Sequence, residues 1–294
     1  MKILITGSNG MLGRDLVARL QATEHTILKP AHSDLDIGVS RSVLAGISTA
    51  HPDLVINCAA YTAVDKAESE AHTASLLNRE GAKNLAQACK DEGIGLIHIS
   101  TDYVFDGASE LPYKEDDPAN PLSLYGKTKW NGEEAIRSRL PHHLIVRTAW
   151  LYGVHGHNFV KTMLRLARDN EELKVVGDQY GCPTWTGDLA DGLTTIVEHI
   201  AEHKKDLRWG TYHFCGAGRV SWHGFAEAVI NEASRREVLK AKRIIPIPTS
   251  EYPTPARRPR WSVLDCSKIA KNFGVVPRSW QQGLAEMLNE LYSI

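Results

Sequence analysis

Tyr125 and Lys129 stand four residues apart in the segment Tyr125-Gly126-Lys127-Thr128-Lys129. On a helix this spacing stacks the two side chains one turn apart on a single face. A lysine cation beside a phenol favours phenolate. The pair is therefore expected to pull the tyrosine pKa down from about 10 and to create a proton donor usable near neutral pH. Ser100-Thr101, at the end of an apolar run, supplies a hydroxyl able to donate to a carbonyl oxygen while Tyr125 protonates it. Gly7-Ser8-Asn9-Gly10-Met11-Leu12-Gly13 lies at the start of the chain. Its glycines let backbone approach a pyrophosphate, and Lys129 can also reach a nicotinamide ribose. The chemistry these segments share is hydride transfer coupled to proton transfer at a carbonyl.

Such residues need a sheet to hold them. Ile3–Thr6, Thr26–Leu28, Leu54–Asn57, Gly95–Ser100 and Leu144–Val146 read as short buried strands. Helical stripes fall between them over Met11–Leu20, Ser40–Ile47, Thr73–Asp91 and Tyr125–Leu140. The alternation predicts an α/β fold, a doubly wound parallel (Rossmann) sheet covered on both faces. Residues 1–152 are expected to form the NAD(P)-binding domain with the Tyr/Lys pair. Residues 153–294 are expected to form a smaller substrate-binding region, partly interleaved with the first. There Asn158–Arg168, Gly187–His199 and Trp280–Leu291 look helical, and Thr211–Cys215 looks like a strand. Ile244–Arg260 carries five prolines and an arginine cluster and predicts an ordered loop, not regular structure.

A chain of 294 residues, 43% hydrophobic and 23% charged, is that of an ordinary globular protein. Its net charge of −1 gives no electrostatic reason to bind nucleic acid or a membrane surface. The five cysteines are odd in number and contain no C-x-x-C, which argues against a disulfide framework or a zinc site. His155-Gly156-His157 lacks a third ligand and reads as a loop. Met1–Ile5 runs straight into the glycine segment and leaves no room for a signal peptide, so a cytoplasmic location is expected. The residues do not decide between a monomer and a homodimer.

The glycines follow G-x-x-G-x-x-G, one residue longer in the first gap than the common dinucleotide fingerprint, between a strand and a helix. Asn57-Cys58-Ala59-Ala60-Tyr61-Thr62 ends the third strand with small residues past which a ribose or adenine can run; the alternative for Ala59 and Ala60 is packing. An enzyme that prefers NADH usually places an acid at the tip of the second strand. Here Lys29-Pro30 stands there, with His32 and Ser33 next and acids only at Asp34 and Asp36. That set suits the 2′-phosphate of NADPH, with NADH usable.

On these motifs the chain resembles the extended short-chain dehydrogenase/reductase family, and within it the reductases of nucleotide-linked 4-keto-6-deoxysugars. The resemblance covers essentially the whole chain. It runs through Gly7–Gly13, Cys58–Glu68, Ser100–Phe105, Tyr125–Lys129, Arg147–Gly153, Asn158–Thr162, Asp178–Thr184 and Pro255–Pro259. It implies Tyr125 as proton donor, Lys129 as modulator of its pKa and ribose ligand, and Thr101 as the group polarising the keto oxygen. Gly10, Met11 and Leu12 then line the pyrophosphate, Asp36 and Ile37 flank the adenine, and Ala60, Tyr61 and Thr62 line the other side of the cofactor. Asp102 and Trp150 contact the sugar. A divalent ion, Mg2+, bridges subunits among some relatives, and the sequence does not decide whether one serves here.

A nucleotide sugar carries a diphosphate. Arg257-Arg258, in a proline-stiffened loop, can hold it by charge-assisted contacts; the alternative for either arginine is a structural pair with an acid. The neighbourhood of Asn158 and Lys161 is the second place for the diphosphate. Trp150 offers a flat apolar face, or else belongs to the core. Related 4,6-dehydratases place an acid where this chain has Tyr103, which argues against elimination chemistry. An epimerase, and a non-catalytic NADP-binding regulatory subunit, are the remaining alternatives; the intact Thr101, Tyr125 and Lys129 set favours a reductase.

Overall fold

The computed structural model describes residues 1–203 and 207–293. The apolar runs of the first half become β1 (Lys2–Thr6), β2 (Thr26–Leu28), β3 (Leu54–Asn57), β4 (Gly95–Thr101) and β5 (His143–Thr148). The second half adds β6 (Leu151–Tyr152), β7 (Glu172–Val176), β8 (Tyr180–Gly181), β9 (Thr184–Trp185), β10 (Gly210–His213), β11 (Val220–Ser221) and β12 (Arg243–Ile247). The helices are α1 (Met11–Gln21), α2 (Ser40–Ala50), α3 (Val64–Ala67), α4 (Ala71–Ser75), α5 (Gly81–Glu92), α6 (Leu124–Arg137), α7 (Phe159–Asp169), α8 (Thr186–Glu202), α9 (Trp222–Ala233), α10 (Ser267–Phe273) and α11 (Trp280–Ser293).

Six strands form one parallel sheet in the order β10-β5-β4-β3-β1-β2. Every residue of β3 and β5 is buried, as central strands covered on both faces require. On one face Leu12, Leu16 and Leu20 of α1 share a core with Leu189, Leu193 and Ile196 of α8. On the other, Val43 and Ile47 of α2 pack with Leu85 and Cys89 of α5 and Ile136 of α6. Burying each such side chain stabilises the fold by about 1.5–3 kcal/mol. The chain runs outward from β1 to β2 and then returns to β3 on the other side of β1. The carboxyl ends of β1 and β3 thus flank the switch point, where an open α/β sheet binds its ligand.

Residues beyond 152 complete this layer, because β10 is its sixth strand and α8 covers α1. The division expected at 152/153 is therefore one of sequence, and the two parts interpenetrate. The remainder of the second half builds its own apolar cluster from Val160 and Leu164 of α7, Phe225 of α9 and Met287 of α11, with Trp185 and Trp280.

Two expectations need correction. The segment taken as one helix over Thr73–Asp91 contains a π turn, Leu76–Glu80, between α4 and α5. Buried Asn78 sits in that turn and accepts from the Tyr61 amide (2.9 Å) while donating to the Tyr61 carbonyl (3.1 Å) and to Thr128 Oγ1 (3.1 Å). The extra residue of the turn is thus used to tie the loop after β3 to α6. The proline-rich stretch begins with a strand: β12 pairs in parallel with β7 in a two-stranded sheet, Pro246 opposite Val175. With a neighbour on one side only, β12 tolerates the missing amide. Among the described residues no helix is long and apolar enough to cross a membrane.

Candidate active site

A cavity of about 800 Å³ opens at the carboxyl ends of the central strands, lined by the glycine loop, Ala59, Ala60, Thr62, Thr101, Asp102, Tyr125, Lys129 and Trp150. The glycine loop is built by close approach. Gly7 has φ +67°, and a Cβ on it would lie 2.5 Å from the Ala59 amide nitrogen; one on Gly13 would lie 2.2 Å from the Gly7 carbonyl oxygen. Side chains there would drive apart the β1–α1 turn and the loop after β3. The turn instead presents backbone and the start of the 11-residue helix α1 to the cavity. This cradle fits the pyrophosphate of a dinucleotide.

Ser123 caps α6, accepting from the Gly126 amide at 3.2 Å, and the helix turns Tyr125 and Lys129 toward the end of β4. Thr101, the last residue of β4, donates its hydroxyl to Asp102 Oδ1 (2.9 Å) and accepts from the Tyr103 amide (3.1 Å). The Tyr125 ring meets Tyr103 edge to face at 5.6 Å. Lys129 is 2% exposed, and its Nζ donates to the Ile99 carbonyl at 2.6 Å.

Burial dominates the electrostatics of this pair. Burial pushes the Tyr125 phenol up, to about 12, with the Thr101 hydroxyl opposing and the Asp102 charge adding to the rise. Burial likewise pulls the Lys129 ammonium down to about 8, against the pull of Glu133. Desolvation dominates on both side chains, and the ammonium is turned onto the Ile99 carbonyl. Asp102 is 1% exposed, its Oδ2 has no hydrogen-bond partner, and burial raises its carboxyl to about 6.

The cavity gathers Gly7, Gly10, Met11, Leu12, Gly13, Ile37, Ala59, Ala60, Thr62, Thr101, Asp102, Tyr125, Lys129 and Trp150 from the expected set. It does not gather Asp36, Tyr61, Asn158, Arg257 or Arg258. Asp36 accepts from the Gly38 amide at 2.9 Å and faces His32 at 3.8 Å. The Tyr61 hydroxyl donates to Glu70 at 2.9 Å. Asn158 caps α7 and donates to the Gly153 carbonyl at 2.7 Å. Arg258 forms an ion pair with Asp65 at 2.8 Å, while Arg257 is exposed.

Trp222 was not foreseen. It opens α9, lines the cavity and stacks face to face on Trp150, with ring centroids 3.4 Å apart and planes 4° from parallel. Trp150 holds a left-handed backbone, φ 46°, and Gly181 clears its flank: a Cβ there would lie 2.4 Å from the indole. The only signal in the sequence was an aromatic residue directly after the capping serine Ser221. His32 and His157 also reach the cavity. Among the described residues no group of three His, Cys, Asp or Glu side chains is arranged to hold a metal ion.

The sequence model of the RmlD substrate binding domain family matches residues 1–293. The chain belongs to this family. A dTDP-4-dehydrorhamnose reductase of Sinorhizobium fredii is 41% identical over 292 residues, covering 98% of this chain and 97% of the relative. The crystal structure of a dTDP-4-dehydrorhamnose reductase from Clostridium acetobutylicum superposes with a TM-score of 0.92 at 42% identity, covering 99% of this chain and all of that one. A Bacillus anthracis dTDP-4-dehydrorhamnose reductase solved with NADP gives 0.91 at 36% identity, covering 98% of this chain and 99% of that one. The likeness therefore spans both the nucleotide-binding layer and the second half of this RmlD-family chain.

Asp102 makes a stability prediction. Its folded pKa, about 6, lies above the unfolded value of about 3.9. The fold therefore binds this proton more readily than the unfolded chain, and ionisation costs stability above pH 6. Asp102→Asn should be more stable than wild type at pH 8, on the order of 2 kcal/mol. The gain should shrink through pH 6 and vanish near pH 4. Urea melts of both proteins across this range check it; a difference independent of pH would contradict the assignment.

Proposed function

We propose that this RmlD-family chain reduces the 4-keto group of dTDP-4-dehydro-L-rhamnose to give dTDP-L-rhamnose, with NADPH as the reductant. The observation that carries the reading is the convergence of Thr101, Tyr125 and Lys129 beside a glycine cradle, in a chain that matches relatives of that name over their full length. When bound along the cradle, the reduced nicotinamide supplies the hydride. The residues of the chain supply everything else. Thr101 turns its hydroxyl from Asp102 to the keto oxygen, and Tyr125 gives its proton to the same oxygen as negative charge develops there. A phenol held near 12 stays protonated at neutral pH, and an alkoxide is the stronger base, so the transfer runs downhill. Lys129 holds the nicotinamide ribose. Trp150, backed by Trp222, gives the deoxysugar an apolar wall.

General acid catalysis contributes about 10²–10⁴-fold, so Tyr125→Phe should lower kcat by that factor and leave NADPH affinity unchanged. A variant that keeps more than half of wild-type turnover removes Tyr125 from this role.

The preference for NADPH rests on the ribose end of the cavity, where exposed His32 stands at the rim while Asp36 accepts from the Gly38 amide and lies 3.8 Å from His32. The measured ratio of kcat/KM should favour NADPH, with NADH a poorer substitute. A more than tenfold preference for NADH would mean that an acid reaches the ribose after all.

For the diphosphate we assign Arg257, on a loop that Arg258 fastens to Asp65. Loss of a charge-assisted contact costs roughly 1.5–3 kcal/mol, so Arg257→Ala should raise KM for the nucleotide sugar about 10–150-fold at unchanged NADPH affinity. If KM is unaffected, the diphosphate is held elsewhere, and Asn158 with Lys161 are next to test.

A further inference from the structure

Behind the Tyr125–Lys129 face runs a row of buried polar groups to which the reaction as drawn gives no task. Thr6, Asn57 and His98 occupy laterally paired positions on three adjacent strands, β1, β3 and β4. They are 3%, 1% and 1% exposed. Thr6 Oγ1 donates to Asn57 Oδ1 at 2.6 Å, and the Ala59 amide donates to the same oxygen at 3.0 Å. Asn57 Nδ2 lies 2.9 Å from His98 Nδ1. His98 Nε2 lies 3.4 Å from Lys129 Nζ.

The backbone sets the direction of this row. The Ala59 amide can only donate, so the atom of Asn57 facing it is the oxygen, and the amide nitrogen must face His98. That nitrogen in turn can only donate, so Nδ1 of the ring accepts and a neutral His98 carries its proton on Nε2. An N–H therefore points at the amine of Lys129. A neutral amine satisfies this geometry completely, accepting from Nε2–H and donating to the Ile99 carbonyl. An ammonium has no lone pair to offer and meets the ring donor with another donor.

We propose that His98, held by Asn57 with its proton on Nε2, is a positioning residue that weakens the hold of Lys129 on its proton and so keeps the amine form within reach. The proposal rests on the reading of Lys129 as part of the reacting set. The other groups around Lys129 act otherwise. Glu133, on its own helix, favours the cation. Cys58, after β3, is a thiol that burial pushes up to about 12 and so carries no charge at neutral pH. Tyr125 is protonated there as well. His98 itself stays neutral because burial, Lys129 and His143 of β5 all pull it well below its ordinary value.

The test reads protons directly. In protein with 15N-labelled histidine, NMR should show His98 protonated on Nε2 and bare on Nδ1; a proton on Nδ1, or an imidazolium, overturns the proposal without any variant. Asn57→Asp then exchanges the donor facing Nδ1 for an acceptor. It should move the ring proton to Nδ1 and turn a lone pair on Lys129. The 13Cε titration of Lys129, assigned by its loss in Lys129→Met, should shift upward by at least about one pH unit, a tenfold rise in proton affinity. Adding His98→Phe to Asn57→Asp should remove most of that shift. A shift that persists in full without the imidazole is a plain effect of the new charge and refutes the proposal. If Lys129→Met keeps its turnover while these shifts appear, the reading of the reacting set fails although His98 still sets the proton affinity of Lys129; if the shifts are absent while turnover is lost, the role of His98 fails alone.

Discussion

A single buried carboxylate, Glu133, fixes the height of Tyr125 and Lys129 over the sheet. It is fully buried on α6, one turn below Lys129 and two below Tyr125. Ser100 of β4 donates to it at 2.5 Å, Arg147 of β5 at 2.8 and 3.0 Å, and Arg137 from its own helix at 2.5 Å. A lone carboxylate in such a place would cost several kcal/mol. Here the partners offset that cost, and in doing so they bolt the helix to two strands at once. The Arg147 guanidinium also lies over the rings of Phe105 and Trp130, at 5.1 and 5.6 Å. Removing either charge leaves the other stranded, so the cluster behaves as one unit.

The parts of the structure legible in the sequence are those where one local rule decides. Buried strands such as Leu54–Asn57 are continuous apolar runs, and the glycine cradle announces itself by spacing between a strand and a helix. Tyr125 and Lys129 share a face because the helix period puts them there. What escaped reading depends on partners far away in the chain. The strand β12 needs β7 beside it, and its proline is harmless because one side of the two-stranded sheet is open. Which acid Arg258 pairs with shows only when Asp65, nearly two hundred residues earlier, is brought against it. The direction of the Tyr125 shift follows from burial, which spacing does not measure.

The cavity draws its walls from both halves of the chain, and the halves differ in kind. One wall is backbone and short side chains fixed by β1, β3 and α1, suited to a ligand part that is the same in every turnover. The other is assembled from longer-range pieces: Trp150 after β5, Gly156 and His157 before α7, and Trp222 at the head of α9. Interpenetration of the halves through β10 and α8 holds these walls at a set distance.

The stacked indoles have an optical consequence. Two identical chromophores whose centroids lie 3.4 Å apart in nearly parallel planes share their excited states. Trp150 and Trp222 should therefore absorb and emit as a coupled pair, distinct from the other tryptophans of the chain. Because both rings line the cavity, a molecule bound against them changes the environment of that pair. The protein thus carries its own spectroscopic probe of occupancy, built from the contact that holds the left-handed Trp150 in place.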